Sequence, residues 1–192
     1  EVKGDVVVDD GLFKETRDSF VGNFSAICIN DNLVDFTIKP GDKPGDKVQA
    51  AWQPDLDPVK VKIEARTTEK AGPRRLWIES TAGPASFVIK GTLPAGSRPT
   101  IRVGKLSNPP LAAAHLFAAV LEKEGIRIRG ERQQAAFGPK VYMDYEVVAR
   151  HISPPFSESV RVTLKVSHNL HATMYPVIVG ALHGKRGDRV AG

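Results

Sequence analysis

The sequence lacks several features, and each absence excludes a class of protein or of site. Cys28 is the only cysteine among 192 residues, which excludes an internal disulfide and a cysteine-based zinc site. No stretch approaches the ~18 consecutive apolar residues of a membrane helix, so we predict no membrane span. Aromatic residues make up 7%, and no DNA-recognition helix or RNA-binding signature is present. The remaining composition, 41% hydrophobic and 26% charged, is that of a globular protein rather than a disordered tail, a collagen or a coiled coil.

The excess of positive charge is also small. Lys and Arg number 27 and Asp and Glu 22, which gives a net charge of +5. An excess of this size permits an anionic partner without requiring one. Arg127, Arg129 and Arg132 form a small basic cluster. We interpret it as a solvated strand face and predict no nucleic-acid partner.

The chain starts with Glu1 and has neither an initiator Met nor a signal peptide. We therefore expect an interior piece of a longer protein, or a processed form.

The first hundred residues have the pattern of β-structure. Residues 59–66 alternate apolar and charged side chains without a break, which is typical of a strand with one buried face. Turn formers separate the runs, and the doubled Lys-Pro-Gly-Asp at 39–46 predicts a wide hairpin loop. Both tryptophans lie in this part, and we predict them in or near the core. Strands are predicted at 6–8, 24–30, 33–38, 48–52, 59–66, 76–79, 86–90 and 100–103.

The pattern becomes helical after Ser107. Asn108 can cap a helix, two prolines suit its first turn, and Gly125 ends it, so we predict a helix at 111–124. Strands are predicted at 126–129 and 142–152. Helices are predicted at 157–166 and 170–182, and Pro176 should kink or shorten the second. The fold class is therefore α+β: a mainly β module with one packed helix, followed by further helices.

Two short motifs have alternative interpretations. Arg186-Gly187-Asp188 spells an adhesion tripeptide, but a match of three residues is common by chance, and a solvated loop is the simpler interpretation. His168 and His171 are three residues apart and could share a metal ion. No Asp or Glu follows nearby in sequence to complete that site, so we predict no metal.

Four segments resemble one family in its own order. The segments are Gly4-Asp5-Val6-Val7-Val8-Asp9-Asp10, Ser25-Ala26-Ile27-Cys28-Ile29-Asn30-Asp31-Asn32, Asn108-Pro109 through Gly125-Ile126-Arg127-Ile128-Arg129-Gly130, and Ser153-Pro154-Pro155 followed by Lys165-Val166-Ser167-His168-Asn169-Leu170. Each is weak alone, and together they resemble the class C penicillin-binding proteins, the D-alanyl-D-alanine carboxypeptidases and endopeptidases of peptidoglycan metabolism.

The resemblance implies a catalytic domain with three motifs: Ser-x-x-Lys, Ser-x-Asn and Lys-Thr-Gly. This chain contains only the second, at Ser167 and Asn169, and none of its ten serines has Lys three positions later. We therefore expect the nucleophile before Glu1 and the carboxylate-binding strand after Gly192. Residues 1–150 would be the β-rich, non-catalytic inserted region, as one unit or as two subdomains. Residues 151–192 would be part of a penicillin-binding, β-lactamase-like domain.

The resemblance also implies an activity. The parent protein would be a serine-type D-alanyl-D-alanine carboxypeptidase or endopeptidase that cleaves peptidoglycan stem peptides through an acyl-enzyme. It would need no cofactor, bind β-lactams and act in the periplasm or elsewhere in the extracytoplasmic envelope. Ser167 and Asn169 are the predicted catalytic residues. His168 replaces the usual Asp, and Pro176 interrupts a helix that the family normally leaves whole.

Two alternatives remain open. The protein could be a degenerate homologue that binds cell wall or proteins without catalysis, or an unrelated β-rich binding domain. The geometry of residues 167–169 distinguishes a functional Ser-x-Asn motif from a helix cap. Residues two apart in a helix point ~200° apart, so a functional Ser167 and Asn169 need a turn between helices. Otherwise Ser167 would serve only as a helix cap.

Overall fold

The structure, a computed structural model, describes residues 1–13, 17–18, 21–54, 59–135 and 145–183. Contacts between Cα atoms divide the chain into two compact units. Unit 1 contains Glu1–Val6 and Ile29–Gln133, and unit 2 contains Val7–Cys28 and Gln134–Gly192. The predicted division into 1–150 and 151–192 concerns the family's functional regions and stays a prediction.

The described elements make an α+β fold, as predicted, with three helices and several small sheets. In chain order they are β1 (Val6–Asp9), β2 (Arg17–Asp18), β3 (Gly22–Asn23), a 3₁₀ turn (Asn30–Asn32), β4 (Leu33–Lys39), β5 (Gln49–Gln53), β6 (Lys60–Ile63), β7 (Arg66–Thr68), β8 (Arg75–Thr81), β9 (Ser86–Pro94), β10 (Thr100–Lys105), α1 (Pro109–Lys123), β11 (Arg132–Ala135), α2 (Phe156–Val166) and α3 (Asn169–His183). In the described part of the chain, no helix is long and apolar enough to cross a membrane.

One sheet of unit 1 is antiparallel, in the order β10-β4-β5. Strand β4 follows the alternation of its sequence: Val34, Phe36 and Ile38 are buried, and Asp35 and the other polar residues between them are exposed. This period of two places one face in the core and the other in water. The Lys-Pro-Gly-Asp segment connects β4 to β5, so the predicted hairpin loop is confirmed.

The second sheet of unit 1 is mixed, with β9 at its centre. Strand β9 pairs in parallel with β6 and β7 and antiparallel with β8. Gly91 of β9 lies opposite Leu76 and has a φ of +108°. The Phe36 and Phe87 rings meet edge to face at 5.2 Å and join the cores of the two sheets.

Helix α1 belongs to unit 1, and its Ala112 is buried in the core that contains Phe36 and Phe87. The Asn108 side chain accepts a hydrogen bond from the Leu111 N–H at 3.1 Å, so the predicted cap is confirmed. Pro109 and Pro110 occupy the first turn, where a missing N–H costs nothing.

Unit 2 has its own core, formed by two distant parts of the chain. Phe13 and Phe24 come from the N-terminal segment, and Leu170, Met174 and Val177 come from α3. The two phenyl rings lie 6.1 Å apart. Helix α3 buries Val177 completely and continues through Pro176, so this proline does not end the helix.

Several sequence predictions were wrong. Residues 24–30 form no strand but lead into the 3₁₀ turn at Asn30–Asn32, where all three residues have positive φ. Asn and Asp tolerate that conformation, and it stops strand pairing. Residues 126–129 make only a bridge between Val2 and Ile128, and the strand that follows is β11. The predicted strand 142–152 is irregular over 145–152, and its remainder lies outside the described residues. Trp77 is 46% exposed instead of buried.

Candidate functional site

The predicted Ser-x-Asn motif lies at the junction of α2 and α3. Helix α2 ends at Val166 and α3 begins at Asn169, so Ser167 and His168 form the connection. The backbone N–H of Ser167 and that of His168 both donate to the carbonyl of Thr163, the latter at 3.0 Å. Two bonds to one carbonyl near the end of a helix are typical of a left-handed C-terminal cap. The motif therefore occupies an interhelical turn, as the geometric argument required.

Ser167 is in an unfavourable backbone conformation. Its φ and ψ are 54° and 51°, in the left-handed region, where a residue with a Cβ costs about 1–2 kcal/mol. Helix ends of this kind usually have glycine at this position. The Ser167 side chain is exposed, and its hydroxyl makes no hydrogen bond to any residue in the described ranges. The contacts of the Ser167 side chain with the described residues therefore do not offset the free-energy cost of its backbone conformation.

Asn169 is the first residue of α3 and is also exposed. Lys165, two residues before Ser167, is exposed on the last turn of α2. The structure therefore leaves a hydroxyl, a carboxamide and an ammonium group accessible to solvent within five residues. The catalytic role of Ser167 and Asn169 stays a prediction.

His168 caps α3. Its Nδ1 accepts a hydrogen bond from the His171 N–H at 3.4 Å, and the two imidazole rings stack at 4.0 Å. An acceptor side chain just before a helix, bonded to the third N–H of the first turn, is the usual arrangement of a cap. The capping alternative for Ser167 was therefore wrong, because the next residue supplies that contact. Histidine is not among the preferred N-terminal caps, so this role could not be predicted from residue type.

A partly buried hydrogen bond joins the two helices. The Thr163 hydroxyl lies 2.7 Å from the Tyr175 hydroxyl, and the Tyr175 ring meets Phe156 edge to face at 4.8 Å. An open groove of about 410 Å³ runs between the helices, and residues such as Val160, Leu164 and Tyr175 line it. Sequence reasoning missed this contact because its partners are twelve residues apart, on different helices.

The perturbed pKa values lie elsewhere, on the mixed sheet of unit 1. Lys90 holds the pKa of Glu79 below its usual value through a hydrogen bond, and the Trp77 indole N–H acts in the same direction. Glu79 in turn raises the pKa of Lys90. The Lys90 Nζ and Trp77 Nε1 atoms lie 2.6 and 2.9 Å from this carboxylate. Both charged side chains are partly exposed to solvent, so they form a surface ion pair and not an acid–base site.

Two arginines of the small basic cluster pair with acidic residues. Arg129 pairs with Glu1, and Arg132 pairs with Glu122 at 2.6 Å. Such pairing fits the interpretation of this cluster as a solvated face. The Arg186-Gly187-Asp188 tripeptide lies outside the described residues.

Comparison with protein families decides the affiliation. The model of the D-Ala-D-Ala carboxypeptidase 3 (S13) family matches residues 1–187. The chain belongs to this family. The family resemblance stated from the sequence motifs is therefore confirmed.

The chain is also similar to individual proteins. The chain is 31% identical over 105 residues to a D-alanyl-D-alanine carboxypeptidase of Actinomadura sp. (strain R39); the match covers 55% of this chain and 19% of that protein. Two crystal structures of penicillin-binding protein 4 from Haemophilus influenzae share the fold. The complex with a novel β-lactam has a TM-score of 0.74 at 20% identity. The match covers 98% of this chain and 40% of the Haemophilus chain. The other has a TM-score of 0.72 at 16% identity, covering 96% and 42%. The chain thus spans well under half the length of these carboxypeptidase-family relatives.

Proposed function

We propose that this chain supplies the Ser-x-Asn part of a serine-type D-alanyl-D-alanine carboxypeptidase or endopeptidase that cleaves peptidoglycan stem peptides. Membership of the carboxypeptidase family supports the reaction class. The observation that carries the proposal is Ser167, a non-glycine residue with φ 54° and an accessible hydroxyl between two helices. An unfavourable backbone conformation at an exposed polar residue indicates a function for the side chain.

The chemistry assigns a role to each group. A serine nucleophile attacks the carbonyl of D-Ala-D-Ala, and its proton passes to a neutral lysine. The Ser167 hydroxyl can both accept and donate, so it relays a proton to the leaving amine while the peptide bond breaks. The Asn169 carboxamide holds the substrate amide, and water then releases the acyl group. The nucleophile and its lysine would come from a Ser-x-x-Lys motif, which the 192 residues do not contain.

The proposal extends to partners and compartment. Stem peptides and β-lactams bind the complete site, no cofactor takes part, and the protein acts in the periplasm or elsewhere in the extracytoplasmic envelope. One of the structural neighbours was crystallised with a β-lactam, which supports the choice of probe.

A chimera tests the role of the turn. This chain replaces the corresponding 40% of Haemophilus influenzae penicillin-binding protein 4, and acylation by a fluorescent penicillin is followed over time. We expect Ser167→Ala to slow acylation or deacylation by ~10²-fold or more, as for other proton-transfer groups. Ser157→Ala, at an exposed serine of α2, serves as the matched control. Equal rates for the S167A and S157A chimeras would contradict the proposal.

The 192-residue chain alone should not be labelled. Acylation requires a serine with its lysine, and none of the ten serines has one at the required spacing. The chain is incubated with fluorescent penicillin and run on a denaturing gel beside the Haemophilus protein. A labelled band at 20.8 kDa that hydroxylamine removes would show a different nucleophile.

The second candidate is a non-catalytic module that binds cell wall or proteins. The replacement of the usual Asp by His168, whose imidazole caps α3, favours it. The parent gene distinguishes the candidates: Ser-x-x-Lys upstream and Lys-Thr-Gly downstream indicate an enzyme, and the absence of both indicates a binding module.

A further inference from the structure

We infer that Thr163 and Tyr175 are positioning residues that hold the Ser167-His168-Asn169 turn in its active conformation. This inference rests on the proposed function of the turn. Neither residue belongs to the Ser-x-Asn motif, and both act through the backbone that carries it.

Thr163 is the only buried residue of α2, a helix that the structure describes in full. Burial of a hydroxyl is unfavourable unless it forms a hydrogen bond. Here the hydroxyl is satisfied by Tyr175 of α3 at 2.7 Å. A valine would fill the same volume without that requirement. Packing alone would need only an apolar side chain at position 163. The presence of threonine therefore indicates that the hydrogen bond to Tyr175 is the relevant contact.

The backbone of the same residue holds the turn. The Thr163 carbonyl accepts the N–H of Ser167 and the N–H of His168. The side chain of Thr163 thus fixes α2 to α3, while its carbonyl fixes the left-handed residue between them. A rotation of Thr163 would move the acceptor of both turn hydrogen bonds at once.

Tyr175 extends the contact to the other side of the turn. Its ring lies 6.1 Å from the His171 ring, and His171 stacks on His168 at 4.0 Å. The His168 Nδ1 in turn accepts from the His171 backbone. The Thr163–Tyr175 pair therefore supports Ser167 through the end of α2 and Asn169 through the first turn of α3.

A general stabilising role would have a different effect. If the pair merely strengthened unit 2, its loss would accelerate exchange of all amides of α2 and α3 together. If the pair instead positions the turn, its loss would accelerate amide exchange mainly at Ser167 and His168. Hydrogen exchange of individual amides distinguishes the two, and the measurement does not require an active enzyme.

The first experiment uses the 192-residue chain. Thr163→Val removes the hydroxyl at nearly constant volume. We expect exchange of the Ser167 and His168 amides to become about five- to tenfold faster, the effect of losing one net hydrogen bond. Exchange at Met174 and Val177, in the buried face of α3, should change less. Thr163→Ser should restore the slow rates, and Ser159→Ala, at an exposed serine on the same helix, is the control. Unchanged rates at Ser167 and His168, or an equal change along both helices, would overturn the inference.

The second experiment separates this inference from the proposed function. In the chimera, T163V and Y175F should slow acylation or deacylation, and T163S should restore the rate. If S167A has no effect on the chimera while T163V still accelerates exchange at the turn, the proposed function fails and the structural coupling stands. If S167A slows the reaction while T163V leaves both exchange and rate unchanged, the positioning role is wrong.

Discussion

At the residue scale, positive φ angles at non-glycine residues occur in two turns. Four non-glycine residues in the described ranges have positive φ: Asn30, Asp31, Asn32 and Ser167. Asn and Asp tolerate this region through local hydrogen bonds, and Asn30 Nδ2 does donate to the Leu33 carbonyl at 2.9 Å. Ser167 has no comparable compensation. The spacing of Ser-x-Asn selected Ser167 and Asn169, whose catalytic role stays a prediction, whereas the capping role of His168 required the structure.

Replacing Ser167 with glycine should stabilise the chain. The substitution removes the Cβ from a left-handed residue, and the gain exceeds the added entropy of the unfolded chain. We expect the free energy of unfolding to rise by about 0.5–1 kcal/mol, as measured by urea denaturation. Asn32→Gly is the contrasting variant: it relieves a similar φ of 58° but removes a buried side chain whose Oδ1 accepts from Ile29. A loss of stability in S167G would show that the serine side chain makes a stabilising contact.

At the scale of elements, alternation predicted the strands well where one face is buried. Strands β4, β5, β8 and β10 lie within one or two residues of the predicted ranges. The failures have a common cause, which is that an apolar run does not reveal whether a partner strand is available. Residues 126–129 alternate well, but the β-contact that they form in the described structure is a single bridge between Ile128 and Val2. Residues 24–30 are apolar because Phe24 packs in the core of unit 2, not because they pair in a sheet.

Gly91 tests the most constrained point of the mixed sheet. A Cβ at this position would overlap the Arg75 carbonyl and contact the Trp77 ring, and the φ of +108° disfavours any L side chain. Gly91→Ala should therefore lower the free energy of unfolding by about 2–3 kcal/mol. Gly4→Ala is the control, because the space around Gly4 is open. A shift of less than about 0.5 kcal/mol in urea denaturation would show that β8 and β9 separate easily here.

At the scale of the whole molecule, the units are not continuous in sequence. Val7–Cys28 belongs with Gln134–Gly192, and the strands of unit 1 lie between these segments. The sequence patterns predict one boundary near residue 150 and place the N-terminal segment in the β-rich region. Nothing in local sequence shows that Phe13 and Phe24 pack on a helix near the other end, since periodicity reports only which face is apolar and not what covers it.

Phe24→Ala tests the discontinuous core. Phe24 is 1% exposed and packs with Phe13 and the buried face of α3, so truncation should cost about 3–5 kcal/mol. Amide exchange in α3 should accelerate even though the helix begins at residue 169. Val148→Ala, at a residue 92% exposed, is the control and should have no effect. Unaltered protection of Met174 and Val177 in F24A would mean that α3 does not depend on the N-terminal segment.

The two-segment core of unit 2 also has a consequence for biosynthesis. Phe24 leaves the ribosome about 150 residues ahead of Leu170, its partner in that core. At translation rates of about 5–20 residues per second, the N-terminal phenylalanines wait on the order of 7–30 s for α3. During that interval they are apolar side chains on an unfolded segment, available to chaperones and to neighbouring nascent chains. Slower codons between the two segments would lengthen this exposure, so the yield of folded protein should depend on the speed at which residues 29–133 are translated.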